Sequence, residues 1–214
     1  MKPKTSRIQP SRLAKRMRND DETIHSILDE ALVCHVSYRL GEQPFILPTA
    51  YCRIDNTLYQ HGSVGSHYFM QMAKGIPVCI AVTLLDALVL ARSVFHHSIN
   101  YRSVVIFGTT RLVEDPEEAW TAAARFVEHV IPGRWDDARQ PSASEMKKTM
   151  FIAVEIEEAS AKVRDHGVGD DPEDMDAAVW AGLVPLKLTP GAPVQDEVQA
   201  KEVELPGYVQ TYHR

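Results

Sequence analysis

HHSINYRSVVIFGTTRLVED, residues 96–115, decides how the rest of the chain is read. Two adjacent histidines and the cluster Asn100, Tyr101, Arg102 and Ser103 lead into an apolar run. That run reads as a strand buried on both faces. A strand that only had to fold needs no such polar entrance, so a polar group is expected to dock there. Just before it, VCIAVTLLDALVLA (residues 78–91) is rich in Val and Ile and is broken by Asp86. It predicts a long strand with a kink at Leu85 and Asp86, followed by a polar linker over 92–98.

The same pattern continues on both sides. Ile24, Ile27, Leu28, Ala31 and Leu32 recur at helical spacing, with Asp20 or Asp21 placed to cap. Residues 32–40, 44–54 and 57–61 read as three strands joined by turns at Gly41-Glu42-Gln43 and Asp55-Asn56. Pro48 inside the second strand predicts an edge or a bulge. Residues 62–77 open on glycines and serines and become a short helix through Phe69, Met72 and Ala73, stopped by Gly75 and Pro77. Asp115-Pro116-Glu117-Glu118 opens a further helix with its cap, its first-turn proline and acids at the positive end. Its apolar face is Ala119, Ala123, Phe126, Val127 and Val130. Residues 134–148 read as loop and a short helix, and 150–163 as the last long strand. Consecutive hairpins with helices inserted later predict a mainly β fold with helices, built on a small antiparallel barrel of about six strands.

The composition is that of a globular chain. Of 214 residues, 44% are apolar and 24% charged, enough to bury a core and unlike a disordered sequence. No apolar run reaches the roughly 18 residues of a membrane helix, and no apolar segment follows the basic N-terminus, so neither a membrane span nor a secretory signal is expected. Cys34, Cys52 and Cys79 lie in strand-like stretches without a CxxC pair. They read as small buried hydrophobes in a reducing, cytoplasmic setting. Seven of the 23 Lys and Arg residues (Lys2, Lys4, Arg7, Arg12, Lys15, Arg16 and Arg18) fall in residues 1–18, which hold none of the 29 acids. A basic arm on an acidic body can bind nucleic acid. Without interleaved aromatics or a nucleic-acid motif, folding over its own body or a partner subunit is favoured. Three segments follow: a basic arm over 1–19, a domain over 20–186, and a tail over 187–214.

The candidate chemistry sits in two clusters. His61-Gly62-Ser63-Val64-Gly65-Ser66-His67 joins a strand to a helix. Its glycines admit a ligand near the backbone, and its hydroxyls and helix-start N–H groups suit an anion, most simply phosphate. A plain strand-to-helix loop capped by Ser66 explains it equally. In the second cluster, Arg102 offers a fork for phosphate and Tyr101 a flat face with a hydroxyl. Alternation puts Tyr101 and Ser103 on one face and Arg102 on the other; an Arg paired with a surface acid is the plainer alternative. His61, His67, His96 and His97 lack the spacing of a metal site, and no metal is expected. A single-histidine haem is left open. GxSxG, GK[ST] and GxGxxG are all absent.

In order and content, the blocks 27–36, 44–51, 58–66, 82–104, 160–164 and 179–182 resemble the pyridoxamine 5'-phosphate oxidase-related, FMN-binding split-barrel superfamily. The branch they resemble holds nitroimidazole-resistance and flavin-nucleotide-binding proteins. The resemblance spans about residues 20–186. It implies a six-stranded antiparallel split β-barrel, a homodimer, and FMN in clefts between subunits. It places the flavin ring against Pro48, Thr49, Ala50 and Tyr51. It runs the ribityl-phosphate along His61, Gly62 and Ser63 to Ser66 and His67, with Thr83 beside the ribityl chain. Tyr101, Arg102, Ser103, Lys162 and Trp180 complete the implied contacts. Relatives often carry Arg or Lys where His67 stands, which implies weaker or pH-dependent phosphate binding here. The implied activity is an FMN-dependent oxidoreductase acting on a small molecule such as a nitroaromatic or quinone. No acid or base is assigned, and His61, His67 and Tyr51 are the candidates beside the ring. The alternatives are a non-catalytic FMN storage or sensing protein and a haem-binding split barrel.

Overall fold

The computed structural model describes Ile8, residues 16–198 and residues 203–213. Of the expected basic arm, Lys2, Lys4, Arg7, Arg12 and Lys15 lie outside the described residues. Arg16 and Arg18 lie within them, Arg18 in strand β1 (Met17–Arg18). The chain divides into two compact units. One comprises Met1–Ala50, Ile76–Thr109 and Glu155–Lys187; the other comprises Tyr51–Gly75, Thr110–Val154 and Leu188–Arg214.

In the first unit, helix α1 (Asp21–Glu30) begins where the Asp20 carboxylate accepts a hydrogen bond from the Thr23 amide at 2.8 Å. It buries Ile24, Ile27 and Leu28, the stripe that the spacing predicts. Strands β2 (Val33–Leu40) and β3 (Gln43–Ala50) form a hairpin. Its turn uses Gly41 at φ 57°, a conformation that glycine adopts without strain. Among the described residues β3 pairs with β2 alone, so Pro48 sits on an edge strand, where a missing N–H costs no ladder bond.

The next strands are β4 (Cys52–Ile54), β5 (Thr57–Ser63) and β6 (Pro77–Leu90), and then β7 (Ser98–Leu112). The β6–β7 pairing runs from Pro77↔Thr109 to Val89↔Ser98 and is interrupted once, between Leu85 and Ala87. Asp86 is the extra residue, so the kink expected at Leu85 and Asp86 is a β-bulge. Thr83 and Leu85 are exposed, whereas Ala87 and Val89 are buried. A bulge exchanges the two faces of a strand in this way. The Arg102 guanidinium grips the bulge. Its Nε and Nη2 donate to the Asp86 carboxylate at 2.8–3.2 Å, and Nη1 and Nη2 donate to Glu30 on α1.

One expected strand is two. Residues 150–163 divide into β8 (Thr149–Glu155) and β9 (Glu158–Arg164). β8 pairs with the end of β7 in the second unit, and β9 pairs with its body in the first. The apolar residues change parity here, from Ile152, Val154 and Ile156 to Ala159, Ala161 and Val163, but periodicity reports a face and not the change of partner at Ile156 and Glu157. The return strand expected over 44–54 is likewise cut at Tyr51, which is fully buried. β10 (Gly182–Pro185) pairs with β6 over Ala87–Leu90. The sheet is mainly antiparallel, and among the described residues the strand order β3-β2-β6-β7-β8-β5-β4 does not close on itself.

The second unit sets β4, β5, the end of β7 and β8 against helices. These are α2 (His67–Met72), α3 (Pro116–Val130), α4 (Arg134–Asp137), α5 (Ala143–Lys147) and α6 (Gly207–Gln210). Its core joins Cys52, Tyr59, Val113, Ala122, Phe151 and Ala153, with Phe126 and Met146 packed against them. The Asp115 carboxylate caps α3, which carries Pro116 in its first turn, as its sequence predicts. Its deepest residues, Ala122 and His129, fall beside the predicted stripe. The tail is anchored in this unit. The Tyr208 hydroxyl donates to Asp137 at 2.6 Å, and the Tyr212 hydroxyl donates to the Val130 carbonyl at 2.9 Å. Cys34 and Cys52 are buried, and burial pushes both thiols up to about 12; Cys79 is half-buried, and burial raises it as well.

Arg102→Ala leaves Asp86 and Glu30 facing each other without their cation. All three groups are partly exposed, so solvent screening holds the expected loss to about 1 kcal/mol. Urea unfolding at low and high salt checks this, the deficit narrowing as salt rises.

Candidate functional site

The first unit leaves one sheet face uncovered. Directly opposed residues of antiparallel neighbours share a face, so the register assigns its members. Pro48, His35, Ala81, Val105 and Ser160 form one row across five strands. Thr83, Ser103 and Lys162 form the next. Thr83 and His35 are exposed, and Ser103 and Lys162 half-exposed. Val33, opposite Ala50, is 46% exposed. The reverse face carries the buried Val36, Ile80, Val82, Val104 and Ala161. The open face is therefore built of small and hydroxyl side chains with a histidine and a lysine at hand. Tyr101 lies one step further along β7, opposite Leu85 and Arg164.

Of the residues singled out from sequence, the open face brings together Pro48, Ala50, Thr83, Ser103 and Lys162, with Tyr101 adjoining. Thr49 pairs with the buried Cys34 and belongs to the reverse side; its hydroxyl donates to the Ala50 carbonyl at 3.3 Å. Arg102 faces away from Ser103, as alternation predicts, and four of its five N–H groups serve Asp86 and Glu30. Trp180 is 66% exposed and lies on Gly182, where an added Cβ would stand 2.9 Å from the indole.

The polar entrance to β7 is answered largely from within the unit. His96 meets Asp171 at 3.0 Å, His97 approaches the Ser93 carbonyl, and Asn100 accepts from Arg164. Asp170 takes the amides of Arg92 and Ser93 together with the Arg92 guanidinium. His96, Asp171 and Asp174 bring potential metal-ligand atoms within 4.8 Å of one another. His96 ends one short turn (Val94–His96), Asp171 and Asp174 belong to another around Pro172–Asp174, and the His96–Asp171 contact already accounts for that pair.

Tyr51, His61, Gly62, Ser63, Ser66 and His67 belong to the second unit. Gly62 is required by packing, since a Cβ there would stand 2.2 Å from the Phe69 ring. The Ser63 hydroxyl accepts from the Gly65 amide at 3.2 Å. Ser66 starts α2 without a side-chain cap, and His67 is exposed beside Gln71. Tyr51 packs inward on His129, ring centroids 5.7 Å apart. The His61 ring lies edge-on to Phe126 at 4.2 Å, and its buried Nδ1 has no hydrogen-bond partner. Burial pulls the His61 pKa below its ordinary value. His61 lines a hollow of about 260 Å³ with Phe126, Trp135, Met146 and Phe151. Next to it, a cavity of about 670 Å³ is walled by Val113, Trp120, Met146, Met150 and Phe151 and carries Lys147. Met146, Thr149 and Phe151 line both. The larger volume falls within the roughly 300–1,000 Å³ of cofactor and small-molecule sites.

A family profile described as pyridoxamine 5'-phosphate oxidase matches residues 20–163. The chain belongs to the pyridoxamine 5'-phosphate oxidase family. Two solved structures of similar sequence follow nearly its whole length. A flavocytochrome from Azotobacter vinelandii is 32% identical, with a TM-score of 0.90, over 98% of this chain and 97% of that one. An FAD and haem binding protein from Mycobacterium smegmatis is 31% identical, with a TM-score of 0.86, over 91% of this chain and 96% of that one. A protein assigned to 5-nitroimidazole antibiotic resistance from Bacteroides thetaiotaomicron shares the fold. It is 23% identical, with a TM-score of 0.58, over 69% of this chain and 88% of that one. No curated protein matches significantly. The fold is thus the split barrel of this family, mainly antiparallel sheet with helices. No described helix is long and apolar enough to cross a membrane.

Within the family fold, sequence reading missed His35 on the open face and the cavity of the second unit. Alternation in 33–38 carries the signal for His35, since it shares a face with Val33 and Ser37 and opposes Cys34 and Val36. No local pattern announces the cavity, because its walls come from β7, β8, α3 and α5.

The depressed pKa of His61 sets a pH dependence. The unfolded chain takes up a proton near pH 6.5, and the buried ring resists it. The stability from keeping the ring neutral is fully present above about pH 6.5 and is lost as the pH falls from there toward the lowered folded pKa. The unfolding free energy of the wild type should therefore drop on acidification from pH 7.5 to 5. His61→Leu should flatten that part of the profile, as chemical denaturation at each pH will show.

Proposed function

We propose that the protein is a flavin-binding redox protein, with the flavin on the open face of the first unit. The observation that carries this reading is the row Thr83, Ser103 and Lys162 on the uncovered face of a sheet whose reverse side is packed. Such a surface suits a flat ring with a polar rim: small side chains admit the ring, hydroxyls meet its acceptors and donors, and Lys162 offers positive charge beside it. A bound flavin supplies one- or two-electron transfer, and the protein supplies orientation and electrostatics. Family resemblance implies FMN; the Mycobacterium smegmatis relative is named for FAD. The proposal extends to an oxidoreductase acting on a small molecule such as a nitroaromatic or quinone, to a cytoplasmic setting, and to a homodimer. Exposed Phe45 and Ile46 on edge strand β3 favour coverage by a second copy.

His61 favours a second bound group, a haem in the second unit. A neutral imidazole with an unclaimed ring nitrogen, next to an apolar cavity that carries Lys147, fits an iron ligand, a porphyrin wall and a cation for a propionate. A bound haem supplies one-electron chemistry. His61 would hold the iron, Phe126 and Phe151 would fix the imidazole plane, and the apolar walls would exclude water. The Azotobacter vinelandii and Mycobacterium smegmatis relatives, each more than 30% identical, are named as a flavocytochrome and as an FAD and haem binding protein.

The test is an absorption spectrum of protein purified from cells supplied with iron, with chromatography of the acid-released flavin. Flavin bands that stay with the protein through gel filtration are expected, together with a Soret band that His61→Leu abolishes while the flavin remains. A colourless protein that ignores added FMN and FAD would overturn the flavin reading. A flavoprotein that takes up no added haem would overturn the second.

A further inference from the structure

Arg164 ends β9 as a buried cation without an acid. Its side chain belongs to a residue only 4% exposed. Nη1 donates to the Asn100 side chain and to the His166 carbonyl at 2.9 Å, and Nη2 donates to the Gly167 carbonyl at 3.3 Å. These acceptors are all neutral. Nε is buried and has no partner, and Nη2 keeps a second N–H. Those two groups form one edge of the guanidinium, the edge that grips carboxylates and phosphates in a two-pronged way. No carboxylate of the described residues pairs with it; the adjoining Asp165 is exposed and makes no such contact.

A second cation stands nearby. β1 runs antiparallel to β9 with Met17 opposite Lys162 and Arg18 opposite Ala161, so the chain before Met17 continues towards the Arg164 end of β9. Arg16 occupies that position. Burial first, and then the charge of Arg16, pull the Arg164 guanidinium below its ordinary pKa. Two neighbouring cations, one of them buried, are a costly arrangement for a protein that binds nothing there. The loop that receives the Nη donors has room to yield: residues 165–167 are exposed, and nothing stands within 4 Å of a Cβ at Gly167 or Gly169.

We infer that the free edge of Arg164, with Arg16, is a binding site for a phosphate or diphosphate group at the β7–β9 end of the open face. Arg164 stands opposite Tyr101 in the register, next to the Ser103–Lys162 row. A nucleotide lying on that row would have its phosphates within the same strand pair. This last point rests on the flavin reading; the anion site itself does not. The phosphate has two possible sources, the flavin's own or a free phosphorylated molecule.

The experiment uses inorganic pyrophosphate as the probe and the shift in unfolding temperature as the readout, in the full-length protein with and without prebound FAD. Pyrophosphate should raise the unfolding temperature of the flavin-free wild type. The rise should vanish in Arg164→Gln and shrink in Arg16→Gln, whose side chain is only half-buried, so folding is not at risk in both variants. Prebound FAD abolishing the rise identifies the flavin's phosphate as the occupant, and a rise that persists identifies a separate phosphorylated ligand. Absence of a rise in the wild type, or an undiminished rise in both variants, overturns the site. A protein that responds to pyrophosphate but takes up no flavin would instead overturn the flavin reading and leave the anion site standing.

Discussion

The single extra residue Asp86 governs the first unit. Before it, β6 turns Val78, Ile80 and Val82 inward; after it, Ala87 and Val89 point inward. Without the bulge, one of these sets would be forced into solvent, because the side-chain period of a strand is two. Asp86 is held from two directions. Its carboxylate takes Arg102 from the neighbouring strand, and its carbonyl accepts the Leu186 amide at 2.9 Å, just beyond β10. The bulge thus lets a single strand line the open face at Thr83 and then build core at Val89.

This constraint also explains the polar entrance to β7. Arg102 and Asn100 stand where the pairing resumes around the bulge, opposite Leu84 and Ala87. Arg102 neutralises the Asp86 and Glu30 carboxylates, and Asn100 is buried and meets Arg164. Polar side chains that sequence alone assigns to a ligand are in large part occupied in fixing strand ends. What they leave for a ligand is the neighbouring face, through Thr83, Ser103 and Lys162, and the unclaimed edge of Arg164.

Much of this was legible in the sequence. The α1 and α3 boundaries follow from Asp20 and Asp115, whose carboxylates cap where the pattern begins. The edge position of β3 follows from Pro48, and the β6 irregularity from Asp86 amid Val and Ile. Changes of partner were not legible. The apolar positions of 150–163 change parity between Ile156 and Ala159, yet this marks only a change of face, and that β8 and β9 pair in different units does not follow from it, because periodicity reports a face and not a neighbour. The role of Gly62 was misdirected for a similar reason: a glycine in a loop signals close approach, but the approaching group is Phe69, seven residues on and one turn into α2. In the sequence Arg164 is only a cation at a strand end, and its burial and the absence of an acid around it, which distinguish it from a solvated one, come from the structure.

The β6–β7–β9 register presents Thr83, Ser103 and Lys162 on one face, the face we propose for the flavin. Thr83 is exposed, so a larger side chain there fills the face without entering the core. The most direct measurement is the flavin content of purified Thr83→Trp beside the wild type, with unfolding temperature as the control for folding. With the flavin on this face, the variant keeps its unfolding temperature in the absence of flavin and loses its bound flavin. A Thr83→Trp protein that retains one flavin per chain would contradict it.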